Sequence, residues 1–247
     1  FANGDTQPLT RFLEAWHKYA KPVTADELAK KPEFEREAYA AYRAFFAPDN
    51  RYLEKNYVMI QKELETVLVD DDMADIRKRV AALERFRESQ RVSLQTISRI
   101  VLKDFRPSVA VNGPKVIYLD DNHLHELLSF LVAGREEEPQ YSGALVDSYW
   151  AIPHGADPFH HDPEKREDTV GQRRLDYLNT QLEIVAGHWE TGWHFETHPM
   201  AYRMYLSRDS KVAVVEYREH FGGGEVYLEK DEHGKWKVLE RERNWIE

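Results

Sequence analysis

The stretch His188-Trp-Glu-Thr-Gly-Trp-His-Phe-Glu-Thr-His198 concentrates groups that could do chemistry. Read as a strand, alternate side chains share a face. His188, Glu190, His194, Glu196 and His198 then lie on one side, and Trp189, Trp193 and Phe195 on the other. Neutral imidazoles and carboxylates are ligands for zinc, manganese and iron. Neighbours two apart on a strand face are about 6.5–7 Å apart, close enough for two side chains to converge on one ion. A third ligand would come from another segment, and His154, His160, His161 or Asp162 could supply it. A divalent transition metal held there would ionise water for hydrolysis. Without a metal, one imidazole could act as a general base. The more economical reading is a half-buried strand with its aromatic face in the core and its His/Glu face in water. His194-x-x-x-His198 is not a zincin motif, because Phe195 stands where that motif places Glu.

Other patterns narrow the chemistry. There is no nucleophile elbow, no Walker phosphate loop and no dinucleotide fingerprint. The absence of cysteine removes disulfides, thiol nucleophiles and Cys-zinc sites. His123 and His125 open a predicted helix and read as surface residues. Asp70-Asp-Asp72 reads as a helix cap with solvated charge, and Glu136-Glu-Glu138 as a solvated run.

The elements that must position these groups follow from periodicity. Leu9, Phe12, Leu13 and Trp16 repeat at helical spacing after Pro8. Thr24-Ala-Asp-Glu27 has the capping-box pattern. Phe34, Ala38, Tyr42 and Phe45 mark a further helix opened by Pro32 and stopped at Pro48-Asp49-Asn50. Residues 57–69 fit either period, and the spacing of Val58, Ile60, Leu64 and Leu68 favours strand. Asp72 could cap a helix carrying Ile76, Val80 and Leu83. Val109–Val111 and Val116–Leu119 flank Asn112-Gly113, a hairpin signal. A short helix is predicted from Asp121. From Arg135 to Asp168 no period emerges, which suits a long ordered loop acting as a lid or strap. Thr169 caps a helix through Leu178 and Leu182. Strands are then expected near 188–198, 200–207, 211–221, 224–230 and 235–246, with Gly222-Gly-Gly224 as a bend or bulge.

The organisation is thus a mainly helical segment over 1–134 with a hairpin near 109–119, a loop over 135–168, and a helix plus antiparallel sheet over 169–247, an α+β class packed as one unit. At 247 residues the chain can bury a sizeable core. With 34 Lys and Arg against 44 Asp and Glu, its net charge of -10 argues against a nucleic-acid partner. No apolar run is long enough for a membrane helix. The polar start from Phe1 to Gln7 would suit the mature end of an exported protein, so a periplasmic or extracellular location is expected and a cytoplasmic one stays open.

The tail Val212-Ala-Val-Val-Glu-Tyr, Gly222-Gly-Gly-Glu-Val-Tyr-Leu-Glu-Lys, Gly234-Lys-Trp-Lys-Val-Leu and Trp245-Ile resembles the terminal hairpins of the NTF2-like (cystatin-like) superfamily. The resemblance implies a curved sheet wrapped around a helix, a cone enclosing a cavity, and assigns neither the helical first half nor the long loop. It implies a secreted bacterial protein that binds a small molecule or a protein ligand without catalysis or cofactor. The alternative is a metal-dependent or His-assisted hydrolase or lyase using the 188–198 face. The superfamily holds enzymes and binding domains alike, so fold alone names no chemistry.

Overall fold

The computed structural model describes residues 6–48, 50–70, 96–120, 122–124, 126–127, 170–183, 185–186, 193–194, 197, 199–219 and 222–246. Helix α1 (Gln7–Tyr19) starts at Pro8 and buries Leu9, Leu13 and Trp16. Helix α2 (Ala25–Ala29) begins with the expected capping box: the Thr24 hydroxyl accepts from the Glu27 amide at 3.2 Å, and the Thr24 amide donates to Glu27 Oε2 at 2.8 Å. Helix α3 (Glu33–Phe45) buries Ala38, Tyr39, Ala41, Tyr42 and Phe45 along one face. A short α4 (Asn50–Leu53) leads to β1 (Tyr57–Ile60) and β2 (Leu64–Val69). Then come β3 (Thr96–Leu102), β4 (Lys115–Tyr118) and α5 (Val170–Gln181). The two-residue strands β5 (Val185–Ala186) and β6 (Trp193–His194) pair with each other. Four longer strands finish the chain: β7 (Met200–Ser207), β8 (Val212–Glu219), β9 (Gly222–Lys230) and β10 (Trp236–Ile246).

The architecture is α+β around an open six-stranded sheet in the order β10-β9-β8-β7-β2-β3. The last four strands form the antiparallel meander that period two predicts. The sheet as a whole is mixed, not antiparallel, because β2 runs parallel to β7 with Glu65 opposite Arg203. Two strands from the first half of the chain, β2 in the segment expected to be strand and β3, complete the same sheet. Helix α3 covers one face, where Tyr42 and Phe45 meet Met204, Leu206, Val215, Tyr217 and Val226 in the larger core.

The expected hairpin at 109–119 does not form. Residues 109–111 are not a strand, and β4 pairs in parallel with β1, Val58 opposite Val116 and Ile60 opposite Tyr118. A two-residue turn on Asn112-Gly113 would close through the amide of residue 114, which is Pro114 and has no N–H. The β1–β4 pair lies between two cores. Val58, Ile60 and Tyr118 face the α3 side, whereas Tyr57, Met59, Ile117 and Leu119 face α1 and α5 with Leu13, Trp16, Leu124, Leu178 and Leu182. Burial on both faces explains why Tyr57-Val-Met-Ile60 is a continuous apolar run.

The triple glycine is neither a bend nor the bulged strand itself. Gly222–Gly224 pair with both β8 and β10, and the irregularity sits opposite, between Arg243 and Trp245. A Cβ on Gly224 would stand 2.0 Å from the carbonyl oxygen of Glu242. The missing side chain therefore admits the β10 backbone at its bulge.

Candidate functional site

Of the sequence-predicted site residues, His188, Glu190, Glu196, His198, His160 and His161 lie outside the described residues, as do His154 and Asp162. For His194 the backbone is placed in β6, opposite Val185 of β5. The predicted long loop and the helix from Asp72 also fall outside. Among the described residues no group of three or more His, Asp or Glu could hold a metal. No helix among them is long and apolar enough to cross a membrane.

The described residues assemble a different imidazole. Helix α1 is fastened along β4 by three side chains. Glu14 takes hydrogen bonds from Lys115 at 2.6 Å and Tyr57 at 3.0 Å, and these, Lys115 foremost, hold its carboxyl down to about 2. The His17 Nδ1–H donates to the Val116 carbonyl at 2.7 Å, and the Trp16 Nε1–H to the Tyr118 carbonyl at 3.1 Å. This places the Trp16 indole at the carboxyl ends of β1 and β4, where the Leu119 amide still bonds Ile60 at 2.8 Å.

Asp120 follows immediately. Its backbone carbonyl accepts from the Leu124 amide at 3.1 Å and its carboxylate from the His123 amide at 3.2 Å. It therefore caps the helical residues that follow, in place of the expected Asp121. The same carboxylate accepts from Trp16 Nε1–H at 3.2 Å and from His123 Nδ1, 2.9 Å from each oxygen. A carboxylate accepts only, so Nδ1 carries a proton, and in the neutral ring Nε2, on the far side, is then the acceptor. The ring plane is set by aromatics. Trp16 stacks on it at 5.3 Å between centroids and 8°, Tyr19 lies at 4.5 Å and 54°, and Phe12 at 6.1 Å. The His123 side chain keeps 18% of its exposure. It is not the surface residue that its place in the sequence suggests.

A recess lined by Gln61, Lys62, Glu65, Leu119, Ala201 and Tyr202 lies beyond these strand ends, and neither Asp120 nor His123 lines it. Gln61 builds its wall, donating to the Ala201 carbonyl and accepting from the Ala201 amide, both at 2.7 Å. The Lys62 ammonium lies 6.0 Å from the centre of the Tyr19 ring, whose centroid is 4.5 Å from that of His123.

A second polar cluster crosses the six-stranded sheet on the face away from α3. Glu65 pairs with Arg203 and Arg99. Arg203 Nη1 donates to the Tyr205 hydroxyl at 3.2 Å, and that hydroxyl donates to Glu216 at 3.0 Å. Burial works against the charge of Glu65, yet Arg99 and Arg203 keep its carboxyl below the usual range. Burial also opposes Arg203, whose partners Tyr205 and Glu65 nonetheless raise it. Burial, then the Glu216 carboxylate, pushes Tyr205 up to about 12. Here each charge is answered by another.

No family model, curated protein or solved structure matches the chain.

Proposed function

We propose that this chain is a ligand-binding α+β protein whose site is the His123 imidazole beyond the carboxyl ends of β1 and β4. The observation that carries the reading is the His123 imidazole, fixed by Asp120, stacked on Trp16 and left with Nε2 as an acceptor. Such an imidazole suits a small planar ligand that packs on the exposed Tyr19 ring and donates one hydrogen bond to Nε2. Ligands are commonly held beyond the carboxyl ends of parallel strands in open sheets, and the β1–β4 pair offers that end. The NTF2-like character of the C-terminal half is part of the proposal. Its support is a helix followed by a four-strand meander, with a sheet that carries helix α3 on one face.

The test is binding of phenol and indole, planar donors, followed by tryptophan fluorescence and calorimetry. His123→Gln should weaken binding at least tenfold, which is about 1.4 kcal/mol, the scale of one hydrogen bond to a fixed acceptor. Equal affinities in wild type and variant would refute the site.

A further inference from the structure

We propose that Asn112 is a self-modifying residue: in the folded protein its side-chain amide is lost to the neighbouring Gly113 nitrogen, leaving aspartate and isoaspartate at this position. The site is independent of the His123 reading. The Asn112-Gly113 pair carries the hairpin signal, yet no hairpin forms, and the pair sits in a bend just before β4. Both residues are exposed, so water and base reach them. Among the described residues neither the Asn112 side chain nor the Gly113 amide makes a hydrogen bond, so nothing holds that nitrogen away from the carboxamide beside it. Gly113 has no side chain to crowd its nitrogen, and its φ of 111° is a backbone conformation that other residues rarely adopt. Asn56, Asn122 and Asn179 lack this combination. The Asn56 side chain donates to Gln181 at 2.8 Å and is followed by Tyr57 of β1. The amide after Asn122 is that of His123 and donates to Asp120 at 3.2 Å. Asn179 lies inside α5, where the next amide belongs to the helical ladder, and its side chain accepts from Lys55 at 3.3 Å.

The reaction needs no co-reactant beyond water. The Gly113 nitrogen gives up its proton to solvent base and bonds to Asn112 Cγ. The Cγ–Nδ2 bond breaks, the side-chain nitrogen leaves as ammonia, and a succinimide ring closes. Water then opens the ring at either carbonyl carbon. Attack at Cγ restores the ordinary chain with aspartate at 112. Attack at the backbone carbonyl carbon leaves isoaspartate, with the main chain routed through Cβ and Cγ. One water enters, one ammonia leaves, and nothing is oxidised or reduced. Either product adds a negative charge ahead of β4, and isoaspartate adds one backbone atom as well. Downstream the chain is anchored: Pro114 is buried, the Lys115 amide bonds the Asn56 carbonyl at 2.8 Å, and Lys115 Nζ bonds Glu14 at 2.6 Å. The added length is therefore taken up in the exposed bend, and the β1–β4 pairing survives the change.

The experiment incubates the full chain at mildly alkaline pH and follows the tryptic peptide Asp104–Lys115 by mass spectrometry. A synthetic peptide of residues 111–115 serves as the unstructured reference. Loss of ammonia at Asn112 in the folded chain should run within about tenfold of the peptide's rate, a barrier difference of at most about 1.4 kcal/mol. It should accelerate as pH rises and yield isoaspartate that an isoaspartyl methyltransferase labels. Asn56, Asn122 and Asn179 should stay unmodified over the same interval. Asn3-Gly4 lies outside the described residues and falls in a different tryptic peptide, so it does not enter the reading. Asn112→Gln, whose longer side chain closes the ring far more slowly, should abolish the mass shift, with circular dichroism checking that the variant is folded. Native hydroxylamine, which traps the succinimide, should cut the wild-type chain between 112 and 113. A folded chain that keeps Asn112 intact while the peptide is consumed, or that loses its amide only after unfolding in urea, overturns the proposal. Equal modification at Asn56 or Asn122 overturns it too, because the exposed bend and the unbonded Gly113 amide would then not be the cause.

Discussion

The Glu65–Arg203–Tyr205–Glu216 cluster and the Asp120–His123 pair are both polar groups set in apolar surroundings, but they are completed differently. In the sheet cluster every charge has an opposite partner on a neighbouring strand, and Val67, Val214 and Tyr227 pack on the same face. In the pair, Asp120 accepts from three donors, whereas among the described residues the imidazole is hydrogen-bonded through Nδ1 alone. A closed network serves register and stability; an open one leaves chemistry available.

The largest expected break of this contrast is Arg203→Met. It removes one of the two cations paired with Glu65 and the guanidinium beside Glu216 on a half-buried face, and should cost about 2 kcal/mol in urea unfolding. That is less than for a fully buried pair, because the Arg203 side chain is still 35% exposed. His123→Gln should cost less than about 1 kcal/mol by the same measurement, since Asp120 keeps its cap and its bond to Trp16. If the two substitutions proved equally damaging, the distinction between a structural and a functional cluster would fail.

The smallest effect sharpens the picture at the other end of β4. The folded-state carboxyl of Glu14 lies near 2, below its ordinary 4.5. Its contribution is therefore complete above the ordinary value and disappears as pH falls through about 2. Glu14→Gln should lower Tm slightly at neutral pH, and wild type and variant should converge in acid. Because Glu14 is solvent-exposed, salt should shrink the gap. A gap that persisted unchanged at pH 2 would contradict the Glu14–Lys115–Tyr57 linkage.

Local signals in the sequence carried well into the structure. The Thr24–Glu27 box, the apolar stripe of α3 and the alternation of β7 to β10 each depend on residues within a few positions of one another. Long-range pairings did not. Nothing local announces that Glu65 will lie opposite Arg203, or that Trp16 will donate to Asp120 from 104 residues away. Two signals were nonetheless present. Pro114 denies the Asn112-Gly113 turn its closing amide. Asp120-x-x-His123 sets a carboxylate at the cap and an imidazole three residues on, the spacing at which capping partners meet. The face predicted for 188–198 depends on side chains outside the described residues.

The central claim is that the His123 imidazole is held as a single tautomer, protonated at Nδ1 and open at Nε2. Nitrogen-15 NMR of the histidine rings at neutral pH measures this directly. The account predicts one imidazole with a pyrrole-type Nδ1 and a pyridine-type Nε2, whose pattern collapses to the averaged one of free histidine in Asp120→Ala. A pyrrole-type Nε2, or an averaged pattern already in the wild-type protein, would contradict it.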